Sequence, residues 1–210
     1  SAAENQTAIG TVTATDADGD SITFTVSGSE LEITSTGVLT FASAPDYETK
    51  SSYTATVTAS DGANSTTQDI TVNVTDVNDN SPVFTSSATF SATENQTAIG
   101  TVAASDADGD TITYSISGAD ITINSSSGVI AFASAPDYET KSSYTATVTA
   151  SDGINSTTQD ITVNVTNVND NNPSFTSSAT FSAAENQTAI GTVAASDVDG
   201  DTITYSISGS

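Results

Sequence analysis

Acidic side chains recur in five short motifs, and their carboxylates are the groups with which this chain could do chemistry. The motifs are Glu-Asn, Asp-Ala-Asp-Gly-Asp, Asp-Tyr-Glu, Asp-Val-Asn-Asp-Asn and Ser-Asp-Gly, which begin at Glu4, Asp16, Asp46, Asp76 and Ser60. Carboxylate and amide oxygens at this density suit calcium, which takes about six to eight oxygens in flexible geometry. Histidine and cysteine are absent, which removes the commonest general base and the usual zinc ligands. The residues therefore favour cation binding and argue against an enzyme.

The charge balance is strongly acidic, with 26 Asp and Glu, only two Lys and Arg together, and a formal net charge of -24. A chain with so little positive charge has almost nothing to pair with phosphate, so nucleic acid and anionic membrane surfaces are excluded as partners. Self-repulsion also opposes a compact state unless cations are bound. No apolar run is long enough to cross a bilayer, so we expect no membrane segment in this fragment.

The motifs return along the chain with a period of about 90 residues, which is the size of one small domain. The segment 4–12, for example, returns from Glu94 and again from Glu185. We predict repeat 1 at 1–80 with its first strand missing, a complete repeat 2 at 81–171 and a partial repeat 3 at 172–210. The segments between repeats are too short for flexible tethers, so we expect the repeats to be joined end to end.

Apolar and polar residues alternate with a period of two, for example in 53–59 and 70–74. Alternation of β-branched and aromatic residues with Thr or Ser is typical of half-buried strands, and no segment shows a useful helical period. In repeat 2 the pattern predicts strands near 83–91, 98–105, 111–117, 120–124, 129–133, 144–150 and 156–166. Seven strands in about 90 residues predict an all-β fold of tandem, seven-stranded, antiparallel Greek-key β-sandwich modules of the Ig-like type.

The five motifs, in this order and at this spacing, resemble the calcium-binding motifs of cadherin repeats, and the resemblance covers the whole chain. The segment Asp76-Val77-Asn78-Asp79-Asn80 matches the linker pattern of that family in full. The resemblance implies cadherin-type modules with about three Ca²⁺ ions at each complete joint between repeats. The near-identity of the repeats further resembles the bacterial-type cadherin domains of large repetitive surface adhesins.

Carried over residue by residue, the resemblance implies two sets of metal ligands. The first joint would use Glu4, Asp46, Glu48, Asp76, Asn78, Asp79, Asn80, Asp106, Asp108 and Asp152. The second joint would use Glu94, Asp137, Glu139, Asn169, Asp170, Asn171, Asp197 and Asp199. In the first set, the ions nearer repeat 1 would be held by Glu4, Asp46, Glu48 and Asp79. Asp108 would bridge ions, and the third ion would be held by Asn78, Asp106, Asp108, Asp152 and the carbonyl of Asn80.

Two features depart from the family's pattern. Asn167 stands where the first linker has Asp76, so the second joint has one carboxylate fewer and should bind calcium more weakly. The loop after Asp-x-Asp is shortened to Gly109-Asp110, and Asp110 is a candidate substitute for a carbonyl ligand that longer loops supply. Ordinary turn chemistry explains any one of the acidic motifs by itself but not the whole set.

We predict a calcium-rigidified extracellular repeat array that acts as an adhesin or spacer stalk in cell adhesion. The alternative is a structural subunit of an extracellular filament or surface layer, assembled through β-sandwich contacts between chains. Expected partners are calcium, adjacent repeats of the same chain, and a homophilic, glycan or protein surface partner. We expect the protein to be secreted, either to the cell surface or to the extracellular space.

Overall fold

All regular structure in the described chain is β. The computed structural model describes residues 1–209 and divides into two compact units, one of residues 1–81 with 106–111, the other of 82–105 with 112 onwards. Ser210, the last residue of the predicted repeat 3, lies outside the described residues. Within residues 1–209, no helix is long and apolar enough to cross a membrane.

Two sheets enclose the core of the first unit. Its strands are β1 (Ala2–Ala3), β2 (Ala8–Thr11), β3 (Thr23–Val26), β4 (Leu31–Ile33), β5 (Val38–Phe41), β6 (Ser52–Ser60) and β7 (Ser65–Thr75). One sheet has the order β1-β7-β6-β3 and the other has the order β2-β5-β4. Leu39 and Phe41 from the second sheet are buried with Val72 and Val74 from the first, so the two sheets form a sandwich.

The predicted alternation along the long strands is present in the register of β6 and β7. Thr54 lies opposite Thr71 and Thr56 opposite Asp69, while Val57, from the opposite face of β6, is buried. Because successive side chains point to opposite faces of a strand, the hydroxyl-bearing positions share one face and the apolar positions share the other.

The second unit has the same architecture and contains additional strands. They are β8 (Val83–Phe84), β9 (Thr89–Thr93), β10 (Ala98–Thr101), β11 (Ala104–Ser105), β12 (Thr113–Ile116), β13 (Ile121–Ile123), β14 (Val129–Phe132), β15 (Ser143–Ser151), β16 (Ser156–Thr166), β17 (Ser174–Phe175) and β18 (Ala195–Ser196). The sheets have the orders β12-β15-β16-β9, β10-β14-β13, β8-β11 and β17-β18. The core is formed by Ile130 and Phe132 from one sheet and Val148, Ile161 and Val163 from the other.

All seven strands predicted for repeat 2 are present, but the first two are each broken into two parts. Strand 83–91 divides because β8 pairs antiparallel with β11 whereas β9 pairs in parallel with β16. The opening strand therefore changes partners along its length. The prediction of an all-β sandwich is confirmed, and the purely antiparallel pairing is corrected by the parallel pairs β9–β16 and β1–β7.

Candidate metal centre

A buried glutamate anchors each acidic site. Glu4 is 2% exposed, and its Oε2 accepts a hydrogen bond from the main-chain N of Tyr47 at 2.8 Å. Its Oε1 accepts one from the main-chain N of Val77 at 2.8 Å. One carboxylate thus fastens both the Asp-Tyr-Glu turn and the linker, which lie far apart in the sequence.

The first residue of the Asp-Tyr-Glu turn, an aspartate, stabilises the turn by hydrogen bonds. Asp46 accepts hydrogen bonds from Oγ1 of Thr49 at 2.8 Å and from the main-chain N of Thr49 at 3.1 Å. These bonds, the hydroxyl bond first, lower the pKa of Asp46 below its usual value. Asp137 makes the same pair of bonds with Thr140, at 3.0 and 3.1 Å. Both turns therefore carry an aspartate that is held by hydrogen bonds, and they place Glu48 and Glu139 beside the linkers.

Asp108 accepts hydrogen bonds from the end of the first linker, and both belong to the first unit. Its Oδ2 accepts from the main-chain N of Asp79 at 3.1 Å and of Asn80 at 2.9 Å. Its Oδ1 accepts from Nδ2 of Asn80 at 2.7 Å. The Asn80 side chain is the largest cause that lowers the pKa of Asp108, and it outweighs the opposing effect of lost solvation. Asp108 is therefore an ionised carboxylate fixed against the linker.

The carboxylates gather into overlapping groups that form the first acidic cluster. Ligand oxygens lie within 4.8 Å of one another in the groups Glu4–Glu48–Asp76, Glu48–Asp79–Asp108 and Asp106–Asp108–Asp110. Loss of solvation, followed by the nearby charges of Glu4, Asp108 and Asp76, raises the pKa of Glu48. The pKa of Asp76 is raised in the same way, with Asp108 as its largest charged neighbour. This cluster concentrates negative charge that a cation would neutralise.

The cation that would neutralise this cluster is not a lysine of the described chain. The salt bridges there join Lys50 to Glu30 and Lys141 to Asp120, and neither acid belongs to the acidic clusters. Oδ2 of Asp106 is buried and has no hydrogen-bond partner among the described residues. An orphaned carboxylate oxygen in an oxygen-rich cluster fits a metal ion, because burying a charged group without a partner is costly.

The second acidic cluster repeats the first inside the second unit. Its groups include Glu94–Asp137–Glu139 and Glu139–Asp170–Asp199. Glu94 accepts from the main-chain N of Tyr138 at 2.8 Å and of Val168 at 2.6 Å. Lost solvation and then the charge of Glu94 raise the pKa of Glu139, while the Asn171 side chain lowers that of Asp199.

Asn167 makes the second cluster chemically different from the first. Its Nδ2 donates a hydrogen bond to the main-chain carbonyl of Asp199 at 2.9 Å. The corresponding residue of the first linker, Asp76, carries a carboxylate with a raised pKa. One site therefore has an amide donor where the other has a negatively charged acceptor.

Most residues of the predicted ligand sets are brought together, but not all are accounted for. The clusters contain or directly contact Glu4, Asp46, Glu48, Asp76, Asp79, Asn80, Asp106, Asp108, Glu94, Asp137, Glu139, Asp170, Asn171, Asp197 and Asp199. Asn78 and Asn169 lie in the middle of the linkers. Asp152 belongs to the second unit, where its Oδ1 accepts from the main-chain N of Ile154 at 2.7 Å and of Asn155 at 2.6 Å. The metal-ligating roles of all residues in the two sets stay predictions.

Sequence reasoning missed two asparagines. Asn5 and Asn95 have left-handed φ angles of 60° and 62°. Asn5 donates through Nδ2 to Oδ2 of Asp79, and Asn95 donates to Oδ2 of Asp170 at 2.6 Å. The available signal was an Asn after the Glu of each repeated motif, since Asn tolerates the left-handed conformation better than most residues.

Comparison with known proteins identifies the family. Residues 87–166 match the model of the cadherin domain. The chain is 36% identical over 225 residues to the Drosophila melanogaster protocadherin-like wing polarity protein stan, covering 92% of this chain and 6% of that protein. It is 40% identical over 150 residues to human protocadherin Fat 1, covering 62% of this chain and 3% of that protein. The chain thus spans only a small part of these relatives.

Solved structures show the same likeness. The mouse cadherin-23 segment EC22-24 is 27% identical with a TM-score of 0.70, covering 93% of this chain and 73% of that one. The extracellular cadherin domains 3-6 of protocadherin gamma B2 are 30% identical with a TM-score of 0.64, covering 74% of this chain and 43% of that one. The family inferred from the acidic motifs is confirmed: residues 87–166 form a cadherin domain, and the chain belongs to the cadherin family.

Proposed function

We propose that this chain is a calcium-rigidified repeat array that acts as an adhesin or spacer stalk in cell adhesion. The coarser part follows from the family: the chain is an extracellular cadherin-repeat segment and not an enzyme. The observation that carries the finer part is the grouping of Glu4, Glu48 and Asp76. The pKa values of Glu48 and Asp76 are raised by lost solvation and then by neighbouring carboxylates, which include Glu4 and Asp108 for both groups. A bound cation would neutralise the electrostatic repulsion between these carboxylates.

Calcium is the cation that suits these clusters. Cadherin domains bind Ca²⁺, and the donors here are carboxylate and amide oxygens without the nitrogen or sulfur ligands that zinc and copper prefer. The residues that would hold it are the two predicted sets, including Asn78, Asp152 and Asn169. About three ions per complete joint would offset most of the carboxylate charge of each set. Asp110 is an additional candidate ligand, because it shares a group with Asp106 and Asp108.

The proposed mechanical role rests on the linkers. Glu4 holds Val77, and Asp108 holds the main-chain N of Asp79 and Asn80, so the linker 76–80 is fixed at several points. A bound divalent cation would cancel the repulsion that works against those contacts. We propose that the repeats 1–80, 81–171 and 172–210 are thereby held in an extended row, which places a distal binding region away from the cell.

Small-angle scattering with calorimetric calcium titration tests this function. We expect the full chain to bind calcium and to change from a flexible chain in EGTA to an extended rod with calcium. A chain carrying Glu48→Gln and Glu139→Gln should lose most of this response, whereas Glu32→Gln, in an exposed strand position, should keep it. Wild-type protein that binds no calcium, or that keeps the same dimensions in both conditions, would contradict the proposal.

The alternative is a subunit of an extracellular filament or surface layer. It is the second hypothesis that a chain of repeated β-sandwich units allows, since each unit can offer the same surface to another chain. Sedimentation velocity over a range of concentrations, with and without calcium, separates the hypotheses: ordered polymers support the filament, and a monomer at all concentrations supports the stalk.

Two finer hypotheses stay predictions. The bacterial-type origin inferred from the near-identical repeats is one, and the relatives described above are animal proteins. The other is the adhesive partner, which we propose to be a second copy of the chain, a surface glycan or a surface protein. Binding of the full chain to immobilised copies of itself and to a glycan array would distinguish these partners.

A further inference from the structure

The two basic residues of the chain occupy equivalent places behind the two Asp-Tyr-Glu turns. Lys50 donates its main-chain N–H to the carbonyl of Asp46 at 2.9 Å. Lys141 donates its main-chain N–H to the carbonyl of Asp137 at 2.9 Å. Each lysine therefore ends the turn that carries two predicted ligands.

The side chain of Lys50 ties the end of its turn to the rest of the first unit. Its Nζ lies 2.5 and 2.7 Å from the two carboxylate oxygens of Glu30, just before β4. The same Nζ lies 4.4 Å from the centre of the Tyr53 ring. Tyr53 packs edge-on against Phe41 at 5.0 Å between ring centroids, and Phe41 is 2% exposed. The turn is thus connected through one ammonium to a neighbouring loop and to the core.

Lys141 makes the same connections with a different acid. Its Nζ lies 2.7 Å from Oδ2 of Asp120 and 4.0 Å from the centre of the Tyr144 ring. Tyr144 packs edge-on against Phe132 at 4.9 Å. The arrangement persists although Glu30 is replaced by the shorter Asp120, so it does not depend on one side-chain length.

We propose that Lys50 and Lys141 are positioning residues for the acidic clusters: each holds its Asp-Tyr-Glu turn in the conformation that presents the carboxylates, without binding the cation itself. The inference deepens the proposed calcium function and rests on it. In an acid-rich chain a free ammonium would be drawn to the clusters as an internal counter-ion. The paired acid and the aromatic ring instead hold each lysine behind its turn.

The sign of the effect on calcium affinity distinguishes positioning from simple charge. If the lysine acts only as a nearby positive charge, removing it makes the cluster more negative and tightens calcium binding. If it holds the turn, removing it leaves a looser segment that must be ordered when calcium binds, and the affinity falls. The two explanations predict opposite changes.

The experiment uses the full chain with two substitutions. Lys50→Met keeps most of the unbranched side chain but removes its charge, and Lys50→Arg keeps the charge and the ring contact. Calcium titration is followed by NMR at the main-chain amides of Tyr47 and Tyr138, one reporter for each cluster. We expect Lys50→Met to weaken calcium binding at the first cluster about five-fold, and Lys50→Arg to restore it. Lys141→Met should act on the second cluster only.

A second measurement does not depend on calcium. In EGTA, the amides of Thr49 and Lys50 should exchange hydrogen faster in Lys50→Met than in wild-type protein, while the amides of β6 stay unchanged. Unchanged exchange at the turn, or calcium binding as tight as wild type or tighter, would overturn the positioning role. If wild-type protein binds no calcium, the calcium function fails, and the exchange rates alone still decide whether Lys50 holds the turn.

Discussion

The main-chain N of Val77 donates a hydrogen bond of 2.8 Å to Oε1 of Glu4, so the linker is fastened to a buried carboxylate of the repeat that precedes it. The second unit repeats this relationship, with Val168 bonded to Glu94 at 2.6 Å. The other oxygen of each glutamate holds the Asp-Tyr-Glu turn. The protein therefore sets the separation between turn and linker with its own hydrogen bonds.

Glu4→Gln is expected to destabilise the calcium-free first unit by roughly 1–3 kcal/mol, because an amide cannot accept both main-chain hydrogen bonds and one buried donor is left unpaired. Urea denaturation in EGTA measures the change. Glu185→Gln is the matched control, since Glu185 stands in the same sequence motif but is exposed. Equal effects at the two positions would contradict this role for Glu4.

Asn5 combines a left-handed backbone with a side-chain bond to Asp79, and two substitutions separate these features. Asn5→Gly keeps the backbone conformation and removes the amide, so we expect weaker calcium binding at the first cluster. Asn5→Ala should in addition lose roughly 1 kcal/mol of stability to backbone strain. Asn186→Ala, at a φ of 63°, measures the strain alone. Unchanged calcium affinity in Asn5→Gly would show that the amide is dispensable.

Asp79→Ala should reduce calcium affinity far more than Asp69→Ala. Asp79 shares a group of ligand oxygens with Glu48 and Asp108, whereas Asp69 bonds to Thr56 on the outer face of β6 and β7 at 2.7 Å. Both substitutions remove one negative charge, so their difference isolates position from net charge. Calorimetric titration of the two variants measures it, and similar losses would contradict the ligand assignment.

Asn167→Asp should tighten calcium binding at the second cluster several-fold, because it adds a carboxylate where the first linker has Asp76. The same change removes the amide bond to the Asp199 carbonyl and adds a charge, so the calcium-free form should become less stable. Asp76→Asn should have the opposite effects at the first cluster. Calcium titration of both variants, with urea denaturation in EGTA, measures these opposite effects. The prediction is wrong if the two substitutions shift calcium affinity in the same direction.

The stability of the calcium-free protein should pass through a maximum in mild acid. The pKa values of Glu48 and Glu139 are raised above the ordinary 4.5. As the pH falls through these raised values, the native state takes up protons more readily than the unfolded state, and the free energy of unfolding rises. The pKa values of Asp108 and Asp199 are lowered below the ordinary 3.8, so below that pH the unfolded state binds more protons and stability falls.

Urea denaturation in EGTA across a series of pH values measures this profile. Glu48→Gln with Glu139→Gln should reduce the rise on mild acidification, since the substituted side chains cannot take up protons. The part that remains belongs to Asp76, whose pKa is also raised. The fall in stronger acid should remain, because it belongs to Asp108, Asp199 and the similarly hydrogen-bonded Asp46 and Asp61. A profile whose rise is the same in both proteins would show that other carboxylates cause it.

The local alternation of apolar and polar residues was sufficient to predict much of the fold. The strands β12 to β16 lie within two residues of the predicted ranges, because alternation of apolar and polar side chains is a property of each segment. The break in strand 83–91 was not predictable in this way. It arises because β8 and β9 pair with different strands, and pairing joins segments that are far apart in the chain.

Motif order and spacing, which are properties of the linear chain, were sufficient to infer the family, the repeat period and the candidate ligands. The groups that hold those ligands in place depend instead on contacts between distant segments. Asn5 meets Asp79 across 74 positions, and Lys50 meets Glu30 across 20. Such contacts depend on how the sheets bring distant segments together, and short polar side chains carry no sequence signal for the partner they will reach.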